Sequence, residues 1–146
     1  MITYEKIVNA NLAVQNLMRL RLPISKIKVT KRIREMANAL QKEFEFVTVE
    51  EKKIIDAYPE VEFNDNGNPI LKPDTEIGGI PTVSVEKKLK GEEFMKEIAE
   101  LHNSETEWDF DVIKISDKDL KTAGDFSLTA EDLDALDGFV EFVEEE

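Results

Sequence analysis

The sequence predicts an α+β protein: an N-terminal antiparallel helical hairpin with a long second helix over residues 1–59, then a small β-sheet with two short helices over residues 60–146. Three observations carry this reading. Apolar residues recur at steps of three and four as far as Pro59, whereas beyond it short alternating runs dominate. Turn-forming residues crowd into residues 60–81, where Asn64-Asp65-Asn66-Gly67-Asn68-Pro69, Pro73, Gly78-Gly79 and Pro81 follow one another. A chain of 146 residues is the size of one ordinary domain, so the two regions are expected to fold as one cooperative unit.

Each element has its own warrant. From Tyr4, the residues Ile7, Ala10, Val14 and Leu17 stack on one face of a helix, and Pro23 in the Leu22-Pro23-Ile24-Ser25 connector stops it. A second stripe, Ile33, Met36, Leu40, Phe44 and Val47, runs on through Ile54, Ile55 and Tyr58. Phe46-Val47-Thr48-Val49 is β-prone, and Thr48-Val49-Glu50-Glu51 matches a capping box that would start a separate helix, but one continuous helix is the preferred reading. Such a hairpin would expose more apolar stripe than one neighbouring helix covers. Thr82-Val83-Ser84-Val85-Glu86 alternates as a strand, Gly91 to Asn103 as a short helix with Phe94, Ile98 and Leu101 inward, and residues 107–115 as a second strand. Thr129 suits an N-cap, with Asp132 at the third helical position and Leu128 able to staple onto Leu133. Leu133, Leu136, Val140 and Val143 then extend an acidic helix to the Glu144-Glu145-Glu146 end.

Little in the chain points to catalysis. Cysteine is absent and there is one histidine, which removes thiolate sites, most zinc sites and Ser-His-Asp schemes. The Asn64–Asn68 turn resembles a calcium loop only until its twelfth position, which is Pro73 and offers no side-chain ligand. His102 has no second ligating residue; as a base it would need Glu105, Glu107 or Asp109 to orient it, and a helix-end role is the simpler reading. Asp109 and Asp111 share a strand face but lack a third ligand. Gly78-Gly79 precedes a strand and not a phosphate-binding helix, and Trp108 reads as core. No enzyme activity, cofactor or metal is expected. The N-terminus lacks the apolar run of a signal peptide and no window approaches a membrane span, so a soluble intracellular protein is expected.

Charge is the stronger signal. The net charge is −13, yet residues 1–45 carry +5 and residues 46–146 carry −18. The bases gather between Arg19 and Lys42, and the candidate partner-binding residues there are Arg19, Arg21, Lys28, Lys31, Arg32 and Arg34. Asp132, Asp134 and Asp137 are the corresponding acidic candidates. A polyanion-repelling net charge makes direct nucleic-acid binding unlikely for the whole surface, leaving a small DNA-binding accessory role for residues 19–42 as the weakest of three readings. Pairing of the basic face with the acidic C-terminal region of the same chain or of a second copy is the preferred reading of that stretch.

The succession of the Leu22-Pro23-Ile24 connector, a long charged helix ending at Ala57-Tyr58-Pro59 and the Asp65-Asn66-Gly67-Asn68 turn is one part of a family likeness. The segment Trp108 to Ser116 and the ending Leu128-Thr129-Ala130-Glu131-Asp132-Leu133-Asp134-Ala135-Leu136 complete it. This layout resembles an uncharacterised family of small phage and prophage proteins of Gram-positive hosts. The resemblance implies a viral setting, in the host cytoplasm or on the virion, and no catalytic residues. The expected function is therefore non-enzymatic protein–protein contact, as a homo-oligomer or with a phage structural protein, in virion or tail assembly. The alternative is an acidic, DNA-mimicking inhibitor of a host defence nuclease.

Overall fold

A computed structural model describes residues 2–121 and 128–144. The architecture is α+β. In chain order the elements are α1 (Tyr4–Leu17), a 3₁₀ turn (Ile24–Lys26), α2 (Ile27–Ala57), β1 (Glu62–Phe63), β2 (Pro69–Ile70), β3 (Thr75–Ile77) and β4 (Ile80–Thr82). Then come α3 (Val85–Asn103), β5 (Ile113–Ser116), α4 (Asp117–Lys121), α5 (Ala130–Ala135) and β6 (Val140–Val143). Contacts group the chain into two compact units, Met1–Phe46 with Glu105–Glu146, and Val47–Ser104. The boundary expected at Pro59 is not where these units divide, because α2 supplies residues to both and the chain beyond Ser104 returns to the first.

In the first unit Thr3 caps α1, its hydroxyl accepting the Lys6 backbone N–H at 3.3 Å. Ile7, Ala10, Ala13, Val14 and Leu17 are buried along one face of α1, and Ile33, Met36, Ala37 and Leu40 along one face of α2. Tyr4 meets Phe46 with ring centroids 5.7 Å apart, while Leu17 and Ile33 line one groove at the other end, so the two helices run antiparallel. The α2 stripe is not left bare as the sequence led one to expect. Ile113, Ile115, Leu136, Phe139 and Val140 join the same core and cover it, with Trp108 edge-on to Phe139 at 5.4 Å. The returning chain is fastened where Thr106 donates its backbone N–H to the Ile2 carbonyl at 2.8 Å.

The end of this unit corrects the expected C-terminal helix. The capping box is present: Thr129 Oγ1 accepts from the Asp132 backbone, and the Asp132 carboxylate accepts from the Thr129 backbone, both at 3.1 Å. The helix nevertheless stops at Ala135, and Gly138 turns the chain at φ +89°. Positive φ costs a side-chain-bearing residue but not glycine, so Gly138 ends the helical periodicity. Leu133 is exposed and Leu136 buried, while Leu128 packs against the core rather than marking a continuous stripe. Val140-Glu141-Phe142-Val143 becomes β6, parallel to β5 in the register Ile113↔Val140 to Ser116↔Val143, with Lys114 opposite Glu141. Of the strand expected over residues 107–115, only its end from Ile113 is paired.

The second unit holds residues 47–57 of α2, two hairpins and α3. No helix break occurs at Thr48. Gln41 bonds Glu45 and Lys53 pairs with Glu50 on either side, and such i,i+3 and i,i+4 pairs offset the weak propensity of the intervening β-branched residues. Asn64 Oδ1 accepts the backbone N–H groups of Asn66 and Asn68, so the loop that resembled a calcium site closes on its own backbone as the β1–β2 turn. Gly78 and Gly79, at φ +60° and +80°, make the two-residue β3–β4 turn. The expected strand over residues 82–86 is instead the start of α3. Ser84 is its N-cap, accepting from Lys87 N–H, and is itself gripped by Asp74 through two 2.7 Å hydrogen bonds. Antiparallel packing of α3 on the end of α2 follows from His102–Glu51 at 2.6 Å and Phe94 edge-on to Tyr58 at 5.9 Å.

Candidate docking groove

The basic candidates do not form one patch. Arg19, Arg21 and Arg34 line a groove of about 400 Å³ where α1 passes through the connector into α2. Its walls also include Leu17, Leu20, Leu22 and Ile33, and its mouth carries Met18, Ile24 and Ile27, exposed by 46%, 82% and 57%. Lys28 and Arg32 instead line a second hollow of about 360 Å³ with Asp111 and Lys114, and Lys31 is exposed and lines neither. Arg32 is already engaged, its guanidinium 4.1 Å from the Phe110 ring centre and 3.2 Å from Glu35.

The acidic candidates separate in the same way. Asp132 is a buried structural residue: besides the capping box it accepts from the Asn16 side-chain amide at 3.3 Å. The Thr129 backbone N–H, followed by the Asn16 amide and the Thr129 hydroxyl, holds its carboxyl below the usual carboxylate range against the opposing effect of burial. Asp134 and Asp137 are exposed, and the Asp137 carbonyl accepts from Lys6 Nζ at 3.4 Å.

His102 takes Glu51 as its partner and none of the three acids suggested by sequence proximity. In the same unit, the Tyr58 hydroxyl donates a hydrogen bond to Glu97 and, with burial and the nearby carboxylates, is pushed up to about 12, which keeps it a donor and removes it as a base. Among the described residues, no group of three or more His, Asp or Glu side chains is placed to hold a metal. No helix is long and apolar enough to cross a membrane among those residues.

The groove is the feature that a search for basic residues underrates. Its apolar members were available to inspection: Ile27 lies six residues before Ile33, roughly 120° around the helix from the buried stripe. An isoleucine off the stripe, beside an exposed Pro23-Ile24 step, adds to the exposed apolar surface at this end of the hairpin. Such an arrangement can seat apolar side chains while Arg21 and Arg34 meet carboxylates around them. No protein-family model matches the chain, and neither the curated proteins nor the solved structures contain a significant match to it.

Proposed function

We propose that the protein is non-enzymatic and acts through protein–protein contacts in phage virion or tail assembly, docking an acidic, apolar-anchored protein surface in the groove at the α1–α2 connector. The observation that supports this is the exposure of Met18, Ile24 and Ile27 within an arginine rim. An apolar centre with arginines around it is the composition of a protein interface. The phage setting rests on the resemblance of the connector and the Leu128–Leu136 segment. A DNA-mimicking inhibitor has less support, since Asp132 is committed inward, and a DNA-binding role has less support, since apolar side chains occupy the centre of the basic surface and Arg32 is engaged.

The test is gradient sedimentation of extracts from infected cells, comparing the protein with its Ile24→Asp, Ile27→Asp variant. Co-migration with capsid or tail intermediates, lost in the variant, is expected. Migration with a host nuclease, or identical migration of both forms away from every structural intermediate, would overturn the proposal.

A further inference from the structure

The occupant of the groove can be named more closely from the charge of this same chain. The charged side chains among the described residues lining the groove are all arginines, so it favours an anionic partner. The chain carries such a partner itself. In α5 and the turn after it, Glu131, Asp134 and Asp137 are exposed, and among them stands Leu133, 43% exposed. That is an apolar anchor ringed by carboxylates, the chemical complement of isoleucines ringed by arginines.

Within one molecule the two surfaces are kept apart. Asp132 is bonded to Asn16, Leu136 is buried in the core and Lys6 holds the Asp137 carbonyl, so α5 is fixed along α1. Among the described residues, those lining the groove fall between Leu17 and Arg34, none of them from α5. Asn16 nevertheless brings the start of α5 to the last turn of α1, next to the groove's edge at Leu17 and Met18. The start of α5 thus lies toward the groove's end of the first unit, whereas Asp137, held by Lys6, lies toward the N-terminal end of α1. Two copies meeting at the groove's end satisfy both surfaces twice, and a self-complementary contact of this kind closes without growing further.

We infer that two copies of this chain pair by mutual exchange, the Glu131-Leu133-Asp134 surface of each seated in the Arg21–Arg34 groove of the other. The inference rests on the groove being a docking surface, as proposed above, and adds that a second copy fills it.

Sedimentation velocity of the purified full chain over micromolar concentrations, at low and high salt, reads the pairing directly. A dimer that weakens as salt rises is expected. Arg21→Glu with Arg34→Glu should give a monomer, as should Glu131→Lys with Asp134→Lys. Mixing the two variants should restore a dimer containing one copy of each, because every contact is then again between opposite charges. All four positions are exposed, and circular dichroism of each variant confirms that it folds. A monomeric wild type, a dimer indifferent to both charge reversals, or a mixture that stays monomeric would each overturn the inference. If the wild type is monomeric while the Ile24→Asp, Ile27→Asp variant still loses its structural partner in the gradient, the groove stands as a docking surface and only the second copy is eliminated.

Discussion

Replacing Gly138 by alanine distinguishes two structures of the C-terminal segment by the sign of its effect. Were residues 129–146 one helix, alanine at this position would add about 1 kcal/mol of stability through helix propensity. In the structure, Gly138 has φ +89°, and an added Cβ would lie 3.3 Å from both Ile2 Cδ1 and Lys6 Nζ. The left-handed region costs an alanine about 1–2 kcal/mol. Lower entropy of the unfolded chain returns about 0.4–1 kcal/mol, and the two close contacts add to the loss. A net destabilisation of about 1 kcal/mol follows, or a melting point lower by about 2–4 °C for a chain of this size. Thermal unfolding followed by circular dichroism is the assay. Gly138→Asn should lose less than Gly138→Ala, since asparagine enters the left-handed region more readily. An alanine variant that melts higher than the wild type would refute the turn and restore the continuous helix.

Three further outcomes are expected. Leu40→Ala, at a position 1% exposed, should lower stability by about 2–5 kcal/mol in denaturant unfolding, and a loss under half a kilocalorie would contradict its place in the core. Thr129→Ala should cost about 1 kcal/mol through the lost cap, with Thr129→Ser recovering most of it; equal loss in both would assign the effect to the methyl group instead. Asp132 has a folded pKa depressed below its ordinary 3.8, so its contribution is complete above that value and disappears as the pH falls through 3.8 and below. The stability advantage of the wild type over Asp132→Asn should therefore shrink between pH 6 and pH 3, and an unchanged gap would argue against the carboxylate's role.

The elements legible in the sequence are those whose signal is local and long. The α1 stripe, the unbroken α2 and the Thr129–Asp132 capping box are all read from spacing alone. The failures share a cause: alternation and helical periodicity coincide over short runs. Thr82 to Glu86 alternates, yet Ser84 caps a helix whose third position is Lys87 rather than the glutamate that would have announced it. Leu136, Val140 and Val143 keep helical spacing across Gly138, so the stripe masks the helix stop that this glycine makes. Of the candidate site, the arginines were visible as charge. What was not visible is which of them share a groove, since that depends on how the connector folds back between α1 and α2. Nor could Asp132's burial be told from Asp134's exposure by composition.

The first unit is built from two stretches of chain separated by the whole of the second. Joining Phe46 to Glu105 closes a long loop, and such closure costs entropy that grows only slowly with length. The second unit, made of sequence neighbours, can form early and shorten that loop before it has to close. Synthesis adds a further constraint. When the ribosome has reached Ser104, Ile33, Met36 and Leu40 have α1 for company but still lack Ile113, Ile115, Leu136, Phe139 and Val140. A nascent or prematurely ended chain of that length presents an unfinished apolar face, and its fate is decided by whether the remaining residues arrive before another molecule does.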